Sequence, residues 1–324
     1  MNISVVIPSH NAARWLPICL ESVKEQSVTP TECIVVNDNS SDGTSILLES
    51  YQTDSLKVLD TTYGNAAAAR NTGVEAASGQ WIAFLDADDI WYPDHLERAQ
   101  ALLKGCGSVG YISHADVFSA YDDEVVRRQC RWPFKGPVAD LEAETFIKVC
   151  ASQQSLHTPS MVISRERFLD IGGFDRVQKR RHDIDMWLRL IHNHRWCYDP
   201  VATLAYRYDT PGSISRAQVE ALYYMYTALK KNESRYPNRY MKEWIRDAAY
   251  RSLLNARVLE PEIFKRLDYT QLRKELTILQ KCVVLVAGAF PPVAKQMKAW
   301  RHKYLVRSGS DRERLSKRGK TKSS

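Results

Sequence analysis

At 324 residues, with 44% hydrophobic and 26% charged side chains, the chain has enough apolar material for a full core, and its length predicts one large domain with an appendage or two small ones. The formal charge of +7 is uneven: residues 295–324 hold 11 Lys and Arg against 2 Asp and Glu, so a near-neutral body carries a basic tail. Seven cysteines, at 19, 33, 106, 130, 150, 197 and 282, include no C-x-x-C pair and no His-rich spacing, which argues against a zinc site and suits a reducing cytoplasm.

The chain opens on an apolar strand, Val5-Val6-Ile7, ended by Pro8, with none of the charged leader, long apolar stretch or cleavage site that predicts export. From residue 1 to about 116, short β-branched strands near 3–7, 32–36, 56–60, 81–85 and 109–113 alternate with helical patterns, which predicts a parallel sheet with crossover helices. The first helix places Trp15, Leu16, Cys19, Leu20 and Val23 on one face; the third runs from Asn65 to Ala77 and stops before Gly79. Residues 117–160 are less regular, with a helix over Leu141–Cys150. A strand at Met161–Ser164, a helix at Arg165–Ile171, a Gly172-Gly173 turn and a helix at His182–Asn193 follow. Past Ser215 the pattern is helical, near 215–233, 238–258, 270–287 and 292–306, punctuated by Pro237, Pro261 and Pro291-Pro292. The expected boundary between sheet domain and helical appendage falls near 212–216.

Chemistry concentrates at the ends of these strands. The apolar run Trp81–Leu85 delivers Asp86-Ala87-Asp88-Asp89 to a strand's C-terminal edge, where open α/β sheets bind ligands. Hard carboxylate oxygens there suit Mg²⁺ or Mn²⁺ carrying a substrate's phosphates. The alternative is a solvated acidic turn ahead of the next helix, with Pro93 in its first turn. Strand one ends in Pro8-Ser9-His10-Asn11 and strand two in Asn37-Asp38-Asn39-Ser40-Ser41-Asp42-Gly43-Thr44, a cluster that would otherwise read as a helix N-cap. The third helix carries Ala69-Arg70-Asn71-Thr72-Gly73, and a later helix carries His182-Asp183-Ile184-Asp185-Met186-Trp187-Leu188.

In this order the motifs resemble the family 2 glycosyltransferases of the GT-A fold, over about residues 2–215. The matching pieces are Ile7-Pro8 with Asn11, the Asn37–Thr44 loop, Ala69-Arg70-Asn71-x-Gly73, Leu85-Asp86-x-Asp88-Asp89, Gly172-Gly173-Phe174-Asp175 and Asp183-x-Asp185-x-Trp187-Leu188-x-Leu190. The resemblance implies a GT-A-type, mostly parallel Rossmann-like α/β sheet flanked by helices. It implies a domain over 1–215, with a nucleotide-sugar half at 1–116 and an acceptor half at 117–215. A helical appendage at 216–307 and a disordered basic tail at 308–324 complete the reading. Its nucleotide site would use Pro8, Asn11, Asp38, Arg70 and Asp86, Asp38 accepting the base's ring N–H. Arg70 would either meet the donor or pair with Asp86 or Asp42. Asp88 would bind Mn²⁺ or Mg²⁺, with Asp209 as a second candidate ligand at a place where many relatives carry histidine. Asp183 would be the general base of an inverting transfer of one sugar from a nucleotide diphosphate-sugar, UDP-sugars favoured, to a glycan or lipid-linked acceptor in cell-surface polysaccharide synthesis. Asp89, His182, Asp185 and Trp187 would stand beside these groups or on the acceptor side. His182 replaces an acid usual in the family, and Lys179, Arg180 and Arg181 precede it.

Two other readings stand at this point: a sugar nucleotidyltransferase, which would want a Gly-rich loop where Ser9–Ala13 stands, and a catalytically silent glycan-binding module. The apolar run Cys282–Phe290 is nine residues long where a spanning helix needs roughly 20, so it does not cross a bilayer. With Lys295, Lys298, Arg301, Lys303 and Arg307 set among Met297, Trp300 and Tyr304, the C-terminal region reads as either a peripheral contact with an anionic inner membrane face or a packed helix with a solvated tail. No recognition fold for nucleic acid accompanies it.

Overall fold

The structure, a computed structural model, describes residues 1–51, 55–118, 125–126, 134–153, 156–207, 210 and 218–289. The described chain divides into two compact units, Met1–Trp244 and a second beginning at Ile245.

Strand β1 (Ile3–Ser9) is buried at every position from Ile3 to Ile7, as a strand covered on both faces requires. It pairs in parallel with β2 (Glu32–Asp38), which pairs in parallel with β3 (Leu56–Thr61); α1 (Leu16–Lys24) and α2 (Thr44–Tyr51) make the crossovers. After α3 (Ala66–Ala76) the chain returns to the other side of β1 as β4 (Trp81–Phe84), giving the order β3-β2-β1-β4. The reversal between β1 and β4 opens a crevice at their C-terminal ends. Helix α3 reaches the sheet because its inner face is Ala67, Ala68, Ala69 and Gly73; a Cβ on Gly73 would collide with Val6 Cγ1 and lie 3.3 Å from Val36 Cγ2.

Beyond β4 come β5 (Ile90–Trp91), α4 (His95–Leu103), β6 (Gly110–Phe118), β7 (Val125–Val126), β8 (Val138–Glu142), α5 (Ala143–Gln153), β9 (Met161–Ser164), α6 (Arg165–Asp170), α7 (His182–Ile191), β10 (Arg195–Arg207) and α8 (Gln218–Asn232). The sheet continues β4-β9-β6-β10-β5, β9 running antiparallel between β4 and β6, and β10 parallel to β6. β10 therefore ends at the same edge as β1, β2 and β4. Helix α9 (Arg239–Leu259) crosses into the second unit, which holds α10 (Pro261–Phe264), α11 (Tyr269–Glu275) and α12 (Ile278–Ala289).

The α/β class and the helical C-terminal region are as expected, and the structure corrects two helices and adds strands. The helix expected from Leu141 begins at Ala143, because Val138–Glu142 is drawn into the sheet against β10. The helix expected over 270–287 is two: Leu276 is extended, and Thr277 starts α12 by accepting from Gln280 N at 3.3 Å while Gln280 Oε1 accepts Thr277 N at 3.0 Å, a capping box. β5 and β10 were not anticipated at all. The helix expected at 292–306 and the boundary at 212–216 lie outside the described residues.

Candidate active site

Two loops at the crevice are stitched together residue by residue. Asn11, at φ +50°, donates its N–H to Ser40 Oγ at 2.9 Å, and its Oδ1 accepts Ser41 N at 2.7 Å and Asp42 N at 3.3 Å. Ala12 N donates to Thr44 Oγ1 at 2.9 Å and Ala13 N to Asp42 Oδ2 at 3.1 Å, while His10 Nδ1 sits 2.7 Å from the Asp38 carbonyl. These pairs satisfy backbone groups that the loops would otherwise leave open. Pro8 lies past the last residue of β1 that pairs with β4. Asp38, at the end of β2 and buried, accepts Tyr63 N at 2.6 Å, Thr61 Oγ1 at 3.1 Å and Asn65 N at 2.8 Å, so it shapes the turn from β3 into α3. Asn37 donates to Asp60 Oδ1 at 2.8 Å and Ser45 Oγ at 3.0 Å.

The acidic segment turns sharply, Asp89 N donating to the Asp86 carbonyl at 3.0 Å. Asp86 is half-buried and pairs with Nη2 of buried Arg70. Asp88 Oδ2 accepts the Thr210 hydroxyl at 2.8 Å, and burial together with neighbouring Asp86 pushes its carboxyl above the ordinary range. Asp89 is fully buried; Oδ1 accepts Arg207 N at 2.9 Å and Oδ2 has no partner among the described residues, and burial, then Asp88, raises it well above the usual carboxylate value. Three crowded carboxylates, one orphaned oxygen and hard donors fit a divalent cation. Among the described residues no three His, Cys, Asp or Glu side chains converge as a self-sufficient metal site. Asp209 lies outside the described residues.

The opposite wall is the start of α7. Arg181 enters it at φ +55°, and Arg180 turns away to Glu220 at 3.3 Å. His182 Nε2 lies 3.1 Å from Arg70 Nη1, and its ring packs edge-on against Phe174 at 5.4 Å. Burial, then the Arg70 charge, lowers its pKa to about 4, so it is a neutral acceptor for the guanidinium. Arg70 is thus a clasp, one nitrogen on Asp86 and another on His182, joining the turn after β4 to the start of α7. Asp183 is half-buried; its Oδ1 accepts Ile184 N at 2.9 Å, and Oδ2 has no hydrogen-bond partner among the described residues. Asp185, two residues on, is buried and occupied, with Oδ2 taking Arg189 Nε at 3.0 Å and Nη2 at 2.8 Å, and Oδ1 taking Asn232 Nδ2 at 2.9 Å. Trp187 is buried in the core.

The Gly172-Gly173-Phe174 turn explains two further motifs. Both glycines have positive φ, and a Cβ on Gly173 would stand 2.6 Å from Asn71 Oδ1. Asn71 clamps Phe174 by accepting its N–H and donating to its carbonyl, each at 2.9 Å, while Arg189 donates to the Ile171 and Gly173 carbonyls at 2.6 and 2.7 Å.

With this geometry in place, the description "Glycosyl transferase family 2" matches the chain over residues 4–156. Residues 4–156 are a family 2 glycosyl transferase domain. Asp38, Arg70, Asp86 and Asp88 lie within the match and Asp183 beyond it. The chain is 32% identical over 198 residues to the amylovoran biosynthesis glycosyltransferase AmsB of Erwinia amylovora, covering 58% of this chain and 64% of that one. It is 40% identical over 102 residues to the UDP-Glc:alpha-D-GlcNAc-diphosphoundecaprenol beta-1,3-glucosyltransferase WfgD of Escherichia coli, covering 31% and 40%. The chain therefore spans less than two thirds of these relatives' length. Its fold matches S. aureus TarS 1-349 in complex with UDP-GlcNAc at a TM-score of 0.67 and 18% identity, over 92% of this chain and 88% of that one.

Four residues around the candidate site escaped sequence reasoning. Thr210 and Arg207 arrive with unanticipated β10, and the Arg207 guanidinium stacks on the Trp15 ring at 4.5 Å. Asn232 arrives with α8, and Arg189 had no role in the sequence reading. The resemblance tied the segment ending at Asp209 to the metal beside Asp88, but it gave Arg207 and Thr210 no role.

Proposed function

We propose that the protein is an inverting glycosyltransferase that moves one sugar from a nucleotide diphosphate-sugar, a UDP-sugar in the first instance, to a glycan or lipid-linked acceptor at the cytoplasmic side of the membrane. The observation that carries this reading is the Arg70 clasp. It holds Asp86, on the sheet edge, and the first turn of α7, with Asp183, against one crevice at the β1/β4 reversal. The UDP-GlcNAc complex of TarS and the undecaprenol-linked acceptor named for WfgD support the choice of donor and acceptor class.

In this reading Pro8, Asn11 and the loop they brace frame the base, and Asp38 offers its remaining lone pair to a ring N–H. Asp86 meets the ribose side. Asp88 would hold Mg²⁺ or Mn²⁺ together with the donor's diphosphate, the metal supplying charge stabilisation on the departing diphosphate. Asp183 Oδ2 takes the proton of the acceptor hydroxyl as that oxygen attacks the anomeric carbon opposite the leaving group, so one displacement inverts the centre. Asp185, committed to Arg189 and Asn232, holds α7 in place instead of sharing that task.

The test is thermal stabilisation by UDP, GDP and their sugars with and without Mn²⁺. A bound nucleotide at 100 times its Kd stabilises by about 2.7 kcal/mol. Asp88→Asn is expected to lose the metal-dependent part and keep the rest. An undiminished metal effect in that variant removes Asp88 from the metal's ligands.

A further inference from the structure

Helix α12 in the second unit shows a face that no described residue covers. Ile278 is 81% exposed, Leu279 74%, Val286 59%, Leu285 47% and Val283 38%, and Cys282 and Ala289 are exposed too. At 100° per residue these seven side chains fall within an arc of about 160° that contains no charge. The other side is different in kind. Val284 and Ala287 are buried there, and Gly288 lies against Arg257 of α9, where a Cβ would collide with the guanidinium. The helix is thus seated by its small, inner face and turns its large apolar side chains outward. An exposed apolar surface this continuous marks an interaction site.

We propose that this face of α12 docks the protein in the plane of an anionic lipid bilayer. No described helix is long and apolar enough to cross a membrane, and the 12 residues of α12 reach only about 18 Å of a hydrocarbon layer about 30 Å thick. The occupant is identified by charge. The chain that follows α12 carries 11 Lys and Arg against 2 Asp and Glu over residues 295–324, with Trp300 and Tyr304 among them. An uncharged apolar face followed in the sequence by a basic, aromatic segment complements a surface that is apolar below and negative above. Lys281 sits at the margin of the arc, where its stem can follow the apolar face and its ammonium can stay among headgroups. Association then has two separable parts, apolar insertion through α12, which salt does not weaken, and basic attraction, which is screened within about 8 Å at physiological ionic strength.

The docking surface stands apart from the catalytic reading and is tested without turnover. The full chain is sedimented with vesicles of phosphatidylcholine containing 30 mol% phosphatidylglycerol, and with phosphatidylcholine alone, at low and high salt. Binding is expected to the anionic vesicles, reduced several-fold by high salt. Leu279→Glu with Val286→Glu, both at exposed positions, should lower it at least tenfold at either salt with an unchanged melting temperature. Equal sedimentation of variant and parent overturns the proposal. So does light scattering that shows a vesicle-free dimer of the parent dissolved by the same substitutions, which would make a second copy the occupant.

Discussion

Asp183 and Asp185 stand two residues apart on α7 and are expected to fail in opposite ways when each is changed to asparagine. Asp185 is 4% exposed, and Arg189, its partner at 2.8 Å, is 15% exposed. Its neutral amide would leave Arg189 buried with two backbone carbonyls and no countercharge, and would loosen the Asn232 contact that ties α8 to α7. Breaking a buried pair from one side costs about 3–5 kcal/mol. In a unit of this size each kcal/mol moves the midpoint by about 2–4 °C, so Asp185→Asn should melt on the order of 6–20 °C lower. Asp183 is half-buried, and its hydrogen bond among the described residues is a local one from Ile184 N. As a first-turn acid it contributes at most about 1 kcal/mol to the helix, so Asp183→Asn should melt within about 4 °C of the parent. Transfer is another matter, since loss of a general base lowers kcat by about 10²–10⁴ while donor binding is kept. The assay pairs thermal unfolding, with and without nucleoside diphosphate, with transfer rates at a temperature where both variants are folded. Near-normal transfer by Asp183→Asn, with none by folded Asp185→Asn, refutes the assignment.

His182→Phe keeps the ring against Phe174 but offers Arg70 no acceptor, so kcat should fall roughly tenfold, about 1.4 kcal/mol, while His182→Gln, whose amide oxygen can accept, recovers most of it. Equal losses in both would make His182 packing alone. Glu32 is buried and accepts Lys57, Ser78 and Ser4; burial raises its pKa, but those donors, Lys57 foremost, outweigh it and hold the carboxyl at about 2. A depressed pKa stabilises the fold above the unfolded value near 4.5 and loses that stabilisation as pH falls toward 2, on the order of 3 kcal/mol here. Glu32→Gln should therefore be less stable at pH 7 and show a flatter profile between pH 5 and 2 in denaturant titrations; parallel profiles would count against the pairing. Gly73→Ala should destabilise by about 1–3 kcal/mol by pushing α3 off β1, measured as a lower urea midpoint with unchanged slope, and an unshifted midpoint would show that the helix yields freely.

The sequence by itself determined the strands of the first half, the crossover helices and the residue types at the strand ends. Those features are local: β-branched runs, helical periodicity and the turn chemistry of Gly, Asn and Asp act within a few residues and leave a pattern that can be read along the chain. It also placed the carboxylates and Arg70 in the right order. What it left open was which of them meet. Whether Arg70 would pair with Asp86 or Asp42 was decided by the register of α3 against β1, fixed at Gly73, and by the turn that lifts Asp86 toward it. Asp183 and Asp185 read alike in sequence, and the structure separates them because α8 packs on one face of α7 and brings Asn232 to Asp185. β10 went unseen because its partners, β6, β8 and β5, are non-local, and a strand gains its hydrogen bonds only from neighbours that the chain brings alongside. With β10 come Arg207 and Thr210, and so the environment of Asp88 and Asp89, for the same reason: contacts between distant segments follow from packing the whole sheet and leave no period in the sequence.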